Sequence, residues 1–396
     1  MVGIDYFTNN PIYITEYGLY QNILITGTIG TGKTSSAMYP FTKQLIYYAS
    51  NDLNKKLGML ILDVKGNYYK KVIDYATESR RKSDVIVIEL NGKYKYNPLD
   101  KPNLKPSAIA NQLKSILLLF SPNNTESFWL DKAEEFLREA IKFCRLYNSG
   151  YVTFTEIHKL ATENDYFFEK IDLIRKNFIK GLLSNEEIYD LLSCLNFFTK
   201  DFFALDSRTL NILKSEITRI TNCFVSDYSV KNTFCPTKEE LNFNGFSEVL
   251  SSGKIVVLNM NINEYRNLSK IIAAYLKIDF QTEVMSNLAN NTSPNRTTAF
   301  ISDEYSEYVT ATDANFFSQS REAKCINIIS TQSYTSLLNT LNNQYSVKVI
   351  VQNLVNKFWF RTDDIFTIED AQKQLRKNRK RESLKNFFRK CKKNFL

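Results

Sequence analysis

The most specific chemical pattern lies near the start of the chain. Gly27-Thr28-Ile29-Gly30-Thr31-Gly32-Lys33-Thr34 fits G-x-x-x-x-G-K-[ST], a loop that binds phosphate groups. Three of the 12 glycines fall inside these residues. Glycine permits the tight turns that aim successive backbone N–H groups at phosphate oxygens. In such a loop Lys33 reaches the β- and γ-phosphates and the Thr34 hydroxyl binds Mg²⁺, so the candidate nucleotide-binding set runs from Gly27 to Ser35. A helix starting near Lys33 adds the field of its N-terminus. Pro40 is expected to kink or end that helix, beyond the loop itself.

A second acidic pattern sits far downstream. The apolar run Thr298–Ser302 ends directly in Asp303-Glu304. Beside a phosphate loop, Asp303 suits Mg²⁺ and Glu304 suits the attacking water; alone, the pair reads equally as an acidic turn or helix cap. Gln332 follows the run Cys325–Ser330 and a threonine, where it could present an amide to the γ-phosphate or the water. Arg321 could stabilise transition-state charge across a subunit boundary, or be a solvated helix arginine. Asp63-Val64-Lys65-Gly66 closes another apolar run, either beside the loop or as a plain turn with a helix cap.

Positioning these groups requires strands. The runs 22–26, 57–62 and 85–88 are short, apolar and separated by helix-length segments, as buried parallel strands with crossover helices are. Strand patterns return at 254–258, 298–302, 325–330 and 357–360, with a helix over about 264–285. Between Pro106 and Asn244 the only glycines are Gly150 and Gly181, and Trp129, Ala133, Phe136, Leu137, Ala140, Ile141 and Cys144 follow helical spacing. The fold class expected is α/β, with a mostly parallel sheet. Residues 1–103 and 246–370 form a nucleotide-binding domain, residues 104–245 an inserted all-α domain, and residues 371–396 a basic tail.

Charge is strongly polarised. Residues 371–396 hold eleven Lys/Arg against one acid, Glu382, a net +10, whereas the first 370 carry 40 basic and 41 acidic residues. Such a tail suits nucleic-acid phosphates or anionic lipid, and Leu384, Phe387, Phe388, Cys391 and Phe395 are spaced for an amphipathic helix; a solvated terminus with no partner is the other reading. With 43% apolar and 13% aromatic residues, a mostly disordered chain is excluded. Six cysteines without a C-x-x-C pair point to a reducing, cytoplasmic setting. A single histidine, His158, argues against multi-histidine metal sites. No apolar run approaches the ~20 residues a membrane span needs, and no signal peptide is expected.

Taken in order, Gly27–Thr34, Asp63-Val64-Lys65-Gly66, Tyr96-Asn97-Pro98-Leu99, Phe128-Trp129, Ser302-Asp303-Glu304, Arg321 and Thr331-Gln332 resemble the type IV coupling proteins, the TraG/TraD-like ATPases of conjugation. The resemblance covers about residues 20–370. It implies a RecA-like P-loop motor domain with a helical lobe, using ATP and Mg²⁺ and assembled as a homo-hexamer. DNA, single-stranded and carried by a relaxase, would be its substrate, and a type IV secretion channel or membrane subunit its partner. By position, Lys33, Glu304, Arg321 and Gln332 become catalytic, with Thr34 and Asp303 at the metal. Family members usually begin with membrane-spanning helices, whereas here the first strand starts by Asn22. A soluble variant, a separate membrane subunit or a truncation would each explain this, and the basic tail could hold the protein at the inner face of the membrane. A genome-packaging or other DNA-pumping ring ATPase, or a slow ATPase recruiting secretion substrates, are the alternatives.

Overall fold

A computed structural model describes residues 2–63, 65–119, 127–181, 183–290 and 296–375. The tail from 376 onward, with its amphipathic pattern, lies outside the described residues. Two short strands, β1 (Gly3–Ile4) and β2 (Pro11–Ile12), form an antiparallel ribbon. The remaining strands are β3 (Ile23–Thr26), β4 (Gly58–Leu62), β5 (Val85–Ile88), β6 (Ile255–Leu258), β7 (Thr298–Ser302), β8 (Cys325–Thr331) and β9 (Asn356–Trp359). They form one parallel sheet in the order β5-β6-β4-β7-β8-β3-β9. Strands β3, β4, β6, β7 and β8 are buried throughout, which is why they read as continuous apolar runs. The edge strands betray themselves: β5 alternates in burial and β9 is half-buried along its length.

The early strands are not neighbours. β6 separates β5 from β4, while β7 and β8 lie between β4 and β3. Helices cover both faces. On one face Ile23, Ile25, Met59 and Ile61 pack with the helices Tyr39–Tyr47 and Tyr68–Glu78. On the other, Leu24, Leu60 and Leu62 join a core that runs on into the helical segment.

Between residues 104 and 245 the described elements are helical, from Pro106–Leu118 to Tyr228–Phe234. The 21-residue helix Ser127–Tyr147 buries Ala133, Phe136, Leu137, Ala140, Ile141 and Cys144 completely, against Phe197, Phe198 and Phe202 among others. This apolar interior is continuous with that under the sheet. The helix expected over 264–285 is broken near its start: Ile262–Tyr265 and Asn267–Asn290 meet at Arg266, whose φ is +44°. His158 is half-buried in the helix Phe154–Thr162, its Nδ1 3.0 Å from the Thr221 hydroxyl.

Candidate nucleotide-binding site

The phosphate loop leaves the carboxyl end of β3, clamped between the strand ends on either side. Gly27 N–H donates to the Gln332 carbonyl (3.2 Å), beyond β8, and Thr28 N–H to the Arg361 carbonyl (2.9 Å), beyond β9. Gly30 and Gly32 have φ of +78° and +89°, a region open to glycine at little cost. Thr31 closes the loop internally, its hydroxyl donating to the Thr28 carbonyl at 2.8 Å. The N–H groups of Gly30, Thr31, Gly32 and Lys33 meet no acceptor among the described residues. Successive backbone donors without a protein partner are what a phosphate loop offers its ligand.

After Lys33 the chain makes one wide π turn, Thr34–Met38, before the α-helix Tyr39–Tyr47. Pro40 does not end this helix. It stands in the first α turn, where the π turn hands over, so the N–H it lacks falls at a junction rather than in the helix interior.

Lys33 is buried and folds back on its own loop, its Nζ 2.5 Å from the Gly27 carbonyl and 3.1 Å from that of Thr28. Burial pulls its ammonium below the ordinary lysine range, against the opposing pull of Glu304 and Asp303. The Thr34 hydroxyl donates to Asp303 Oδ2 at 2.8 Å, across 269 residues of sequence. Asp303 is 1% exposed; its N–H donates to the Leu62 carbonyl (3.0 Å), which registers the acidic turn against β4.

Glu304 adopts a left-handed conformation (φ 47°, ψ 43°) that turns it toward the strand ends. Its Oε1 accepts from Lys65 Nζ at 2.8 Å and its Oε2 from Gln332 Nε2 at 3.3 Å. Burial would raise its carboxyl, but the Lys65 ammonium, with Gln332 and Lys33, holds it below the usual range. Asp63, also 1% exposed, accepts from the N–H groups of Lys65, Asn67 and Tyr68, and burial raises its carboxyl, Asp303 adding to the effect.

Lys33, Thr34, Asp303, Glu304 and Gln332 therefore converge. Arg321 does not join them within this chain. It precedes β8, at the amino ends of the strands and so away from the loop at their carboxyl ends, exposed and stacked on Tyr17 with its guanidinium 4.4 Å from the ring centre. The structure also gives Lys65, read in the sequence only as part of Asp63-Val64-Lys65-Gly66, a partner, and adds groups that the sequence did not single out. Lys65 reaches Glu304 only because β4 and β7 are paired. Arg361 is exposed beside Thr28, its side chain without a polar partner among the described residues. Its signal would have been its place directly after the edge strand beside β3. Beneath the acidic turn, fully buried Lys277 and Asp313 pair at 2.6 Å; Asp313 also accepts from the Tyr305 hydroxyl, Thr310 N–H and Gln281, bracing residues 305–313 against the long helix.

The fit to a Mg²⁺-bound nucleotide rests on this donor set. A hydroxyl and a carboxylate already in hydrogen-bond contact can share a hard cation, and unpartnered N–H groups with a buried lysine suit phosphate oxygens.

A parallel sheet with this loop after β3 and an acidic pair after β7 is the RecA-like P-loop NTPase fold. The fold is shared with the bacterial conjugative coupling protein TrwB. Its unbound TrwBdeltaN70 form is similar over 85% of this chain and 67% of that one, at 12% identity and a TM-score of 0.53. TrwB in complex with ADP and Mg²⁺ is similar over 91% and 78%, at 14% identity and a TM-score of 0.56. VirB4 of Thermoanaerobacter pseudethanolicus is similar over 91% and 84%, at 14% identity and a TM-score of 0.53. No protein-family model and no curated protein matches the chain.

Proposed function

We propose that this chain is an ATP hydrolase that drives DNA into a type IV secretion channel during conjugation. The observation that carries the reading is the contact between Thr34 and Asp303 at 2.8 Å, with Glu304 and Lys33 alongside. Gly27–Ser35 would bind the phosphates, and Thr34 and Asp303 would hold Mg²⁺, which would supply charge neutralisation at the phosphoryl group. Glu304, ionised at neutral pH, orients the attacking water and takes its proton. Lys33 leaves the Gly27 and Thr28 carbonyls for the phosphates, and Gln332 reports on the γ-phosphate through its amide, now shared with Glu304. The likeness to TrwB, whose complexes include one with ADP and Mg²⁺, supports both the nucleotide and the conjugative setting.

In this reading residues 1–103 and 246–370 are the motor and 104–245 an inserted lobe facing the relaxase-bound strand. Arg321, far from its own loop, serves a neighbouring subunit in a homo-hexamer. The chain works at the inner face of the membrane; among the described residues no helix is long and apolar enough to cross one. The test is ATP turnover with and without single-stranded DNA, measured together with particle mass, with Lys33→Ala as the blank. Stimulation in a ring-sized particle, absent from the variant, is expected. Turnover indifferent to DNA in a monomer, or undiminished in Lys33→Ala, would overturn the reading.

A further inference from the structure

Lys65 and Gly66, just beyond β4, have no role in the hydrolysis proposed above, yet they stand in line with the groups that do. At the carboxyl end of the sheet a row of contacts crosses four adjacent strands. Lys65, after β4, donates from Nζ to Glu304 Oε1, after β7 (2.8 Å). Gln332, after β8, donates from Nε2 to the other carboxylate oxygen (3.3 Å), and its carbonyl accepts from Gly27 N–H, where the phosphate loop leaves β3 (3.2 Å). Only Glu304 and Gln332 separate Lys65 from the loop in this row. Besides burial, the charge of Lys65 also pulls the Lys33 ammonium down, so the two cations act in one field.

The root of Lys65 is fixed and its end is not. Its N–H donates to Asp63 Oδ1 (2.9 Å). Gly66, at φ +69°, lies so close to the chain beyond β6 that an added Cβ would stand 3.0 Å from the Asn261 backbone nitrogen. The Lys65 side chain is 49% exposed, against 9% for that of Glu304. An ammonium on a flexible four-carbon stem can change acceptors while the backbone stays in place.

The arrival of a triphosphate changes which acceptor is best. Against the effect of burial, Lys65 and then Lys33 hold the Glu304 carboxyl low, and Lys33 itself rests on the Gly27 and Thr28 carbonyls. A γ-phosphate between the loop and Glu304 sets a more highly charged anion, with three acceptor oxygens, against a carboxylate of single charge. Two anions facing each other without a cation repel, and the phosphate offers an ammonium the stronger charge-assisted contacts.

We propose that Lys65 is a substrate-binding residue that passes from Glu304 to the γ-phosphate of the nucleotide, leaving the carboxylate to the attacking water. This deepens the ATP-hydrolase reading above and rests on it. A diphosphate lacks the group that draws Lys65 away, so the exchange distinguishes ATP from ADP.

The test is fluorescence titration of the full chain, with Mg²⁺, by labelled ADP and by the labelled β,γ-imido analogue of ATP. Wild type is compared with Lys65→Met, Lys65→Arg and Glu304→Gln. Lys65→Met is expected to bind the triphosphate analogue about 10- to 100-fold more weakly, as befits a lost hydrogen bond to a charged group. Its ADP affinity is expected to match wild type, which also verifies the fold, and Lys65→Arg to recover most of the loss. In Glu304→Gln, where the ammonium has no carboxylate to leave, the preference for triphosphate should equal or exceed that of wild type. Equal weakening toward both nucleotides would make Lys65 a prop for the shape of the site, and no weakening toward either would leave it a static partner of Glu304; each result overturns the proposal. So does a Glu304→Gln chain that loses the preference, because the pair would then have to stay intact around the bound nucleotide. A wild type that hydrolyses ATP beside a Lys65→Met chain of unaltered preference refutes this inference alone. A wild type that binds neither nucleotide refutes the hydrolase reading itself.

Discussion

The close approach of the phosphate loop to the last strand makes Gly27→Ala an informative change. A Cβ at position 27 would stand 2.5 Å from Phe360 Cβ and 2.9 Å from the Thr31 hydroxyl. Ordinary carbon–carbon contact is about 3.5–4.0 Å, so the loop or the segment after β9 must shift by about 1 Å. Neither can yield by rotating a side chain, because both Cβ atoms ride on backbone that is hydrogen-bonded together through Phe360 N–H to the Thr26 carbonyl (2.7 Å). Overpacking of this kind costs about 1–3 kcal/mol. With unfolding entropy of about 2.1 cal/mol/K per residue, that lowers the melting temperature of so long a chain by only ~1–4 °C. Affinity is the sharper readout: a loop displaced by ~1 Å misaligns its donors, and nucleotide binding should weaken by about 10- to 100-fold. Titration with a fluorescent ATP analogue measures this. Phe360→Gly removes the opposing atom, so the double variant should recover part of the affinity, with a coupling of about 1–2 kcal/mol. Effects that add within about 0.5 kcal/mol would refute the contact as the cause.

Other perturbations probe separate parts of the site. Glu304→Gln should lower ATP turnover by about 10²–10⁴-fold with nucleotide affinity retained, and near-normal turnover would exclude Glu304 as the base. Because Lys65 and its neighbours hold the Glu304 carboxyl below the ordinary range, its ionised form favours the folded state above its unfolded value. That contribution is lost as pH falls through the folded value, so the acid side of the stability–pH profile should be flatter in Glu304→Gln. Lys277→Met leaves Asp313 buried without its cation and should cost about 3–5 kcal/mol in chemical denaturation, partly restored by adding Asp313→Asn; a loss under about 1 kcal/mol would show that the pair is not a brace. Mixtures of Arg321→Ala and Glu304→Gln subunits should regain turnover that neither has alone, and mixed particles of full size without any recovery would remove Arg321 from the mechanism.

The features most legible in the sequence are those in which local pattern and burial agree. Each strand of the parallel sheet falls within a residue or so of its apolar run, because strands buried on both faces admit little else. The loop and the acidic pair were legible because each needs particular residue types directly after a strand. The ribbon β1–β2 was not, since two-residue strands carry no period. Pro40 misled because the π turn before it is invisible to residue preference. The Lys65–Glu304 contact, Arg361 and the Lys277–Asp313 pair depend on strand order and helix packing, and strand order is set by contacts hundreds of residues apart. The strand order itself, with β7 and β8 between β4 and β3, could not be read from the order of elements along the chain.

Strand β3 has a consequence for biosynthesis. Its sheet neighbours are β8 and β9, so Ile23 meets Ile328 on one side and Asn356 on the other. A nascent polypeptide that has emerged as far as the acidic pair therefore holds an early strand with both flanks bare. Contacts of such long sequence separation form slowly, and exposed strand edges invite aggregation meanwhile. The Gly27 and Thr28 N–H groups find their acceptors only once Gln332 and Arg361 have left the ribosome. The phosphate loop is thus clamped only after the segments carrying Gln332 and Arg361 have been made, more than 300 residues after Gly27 and Thr28.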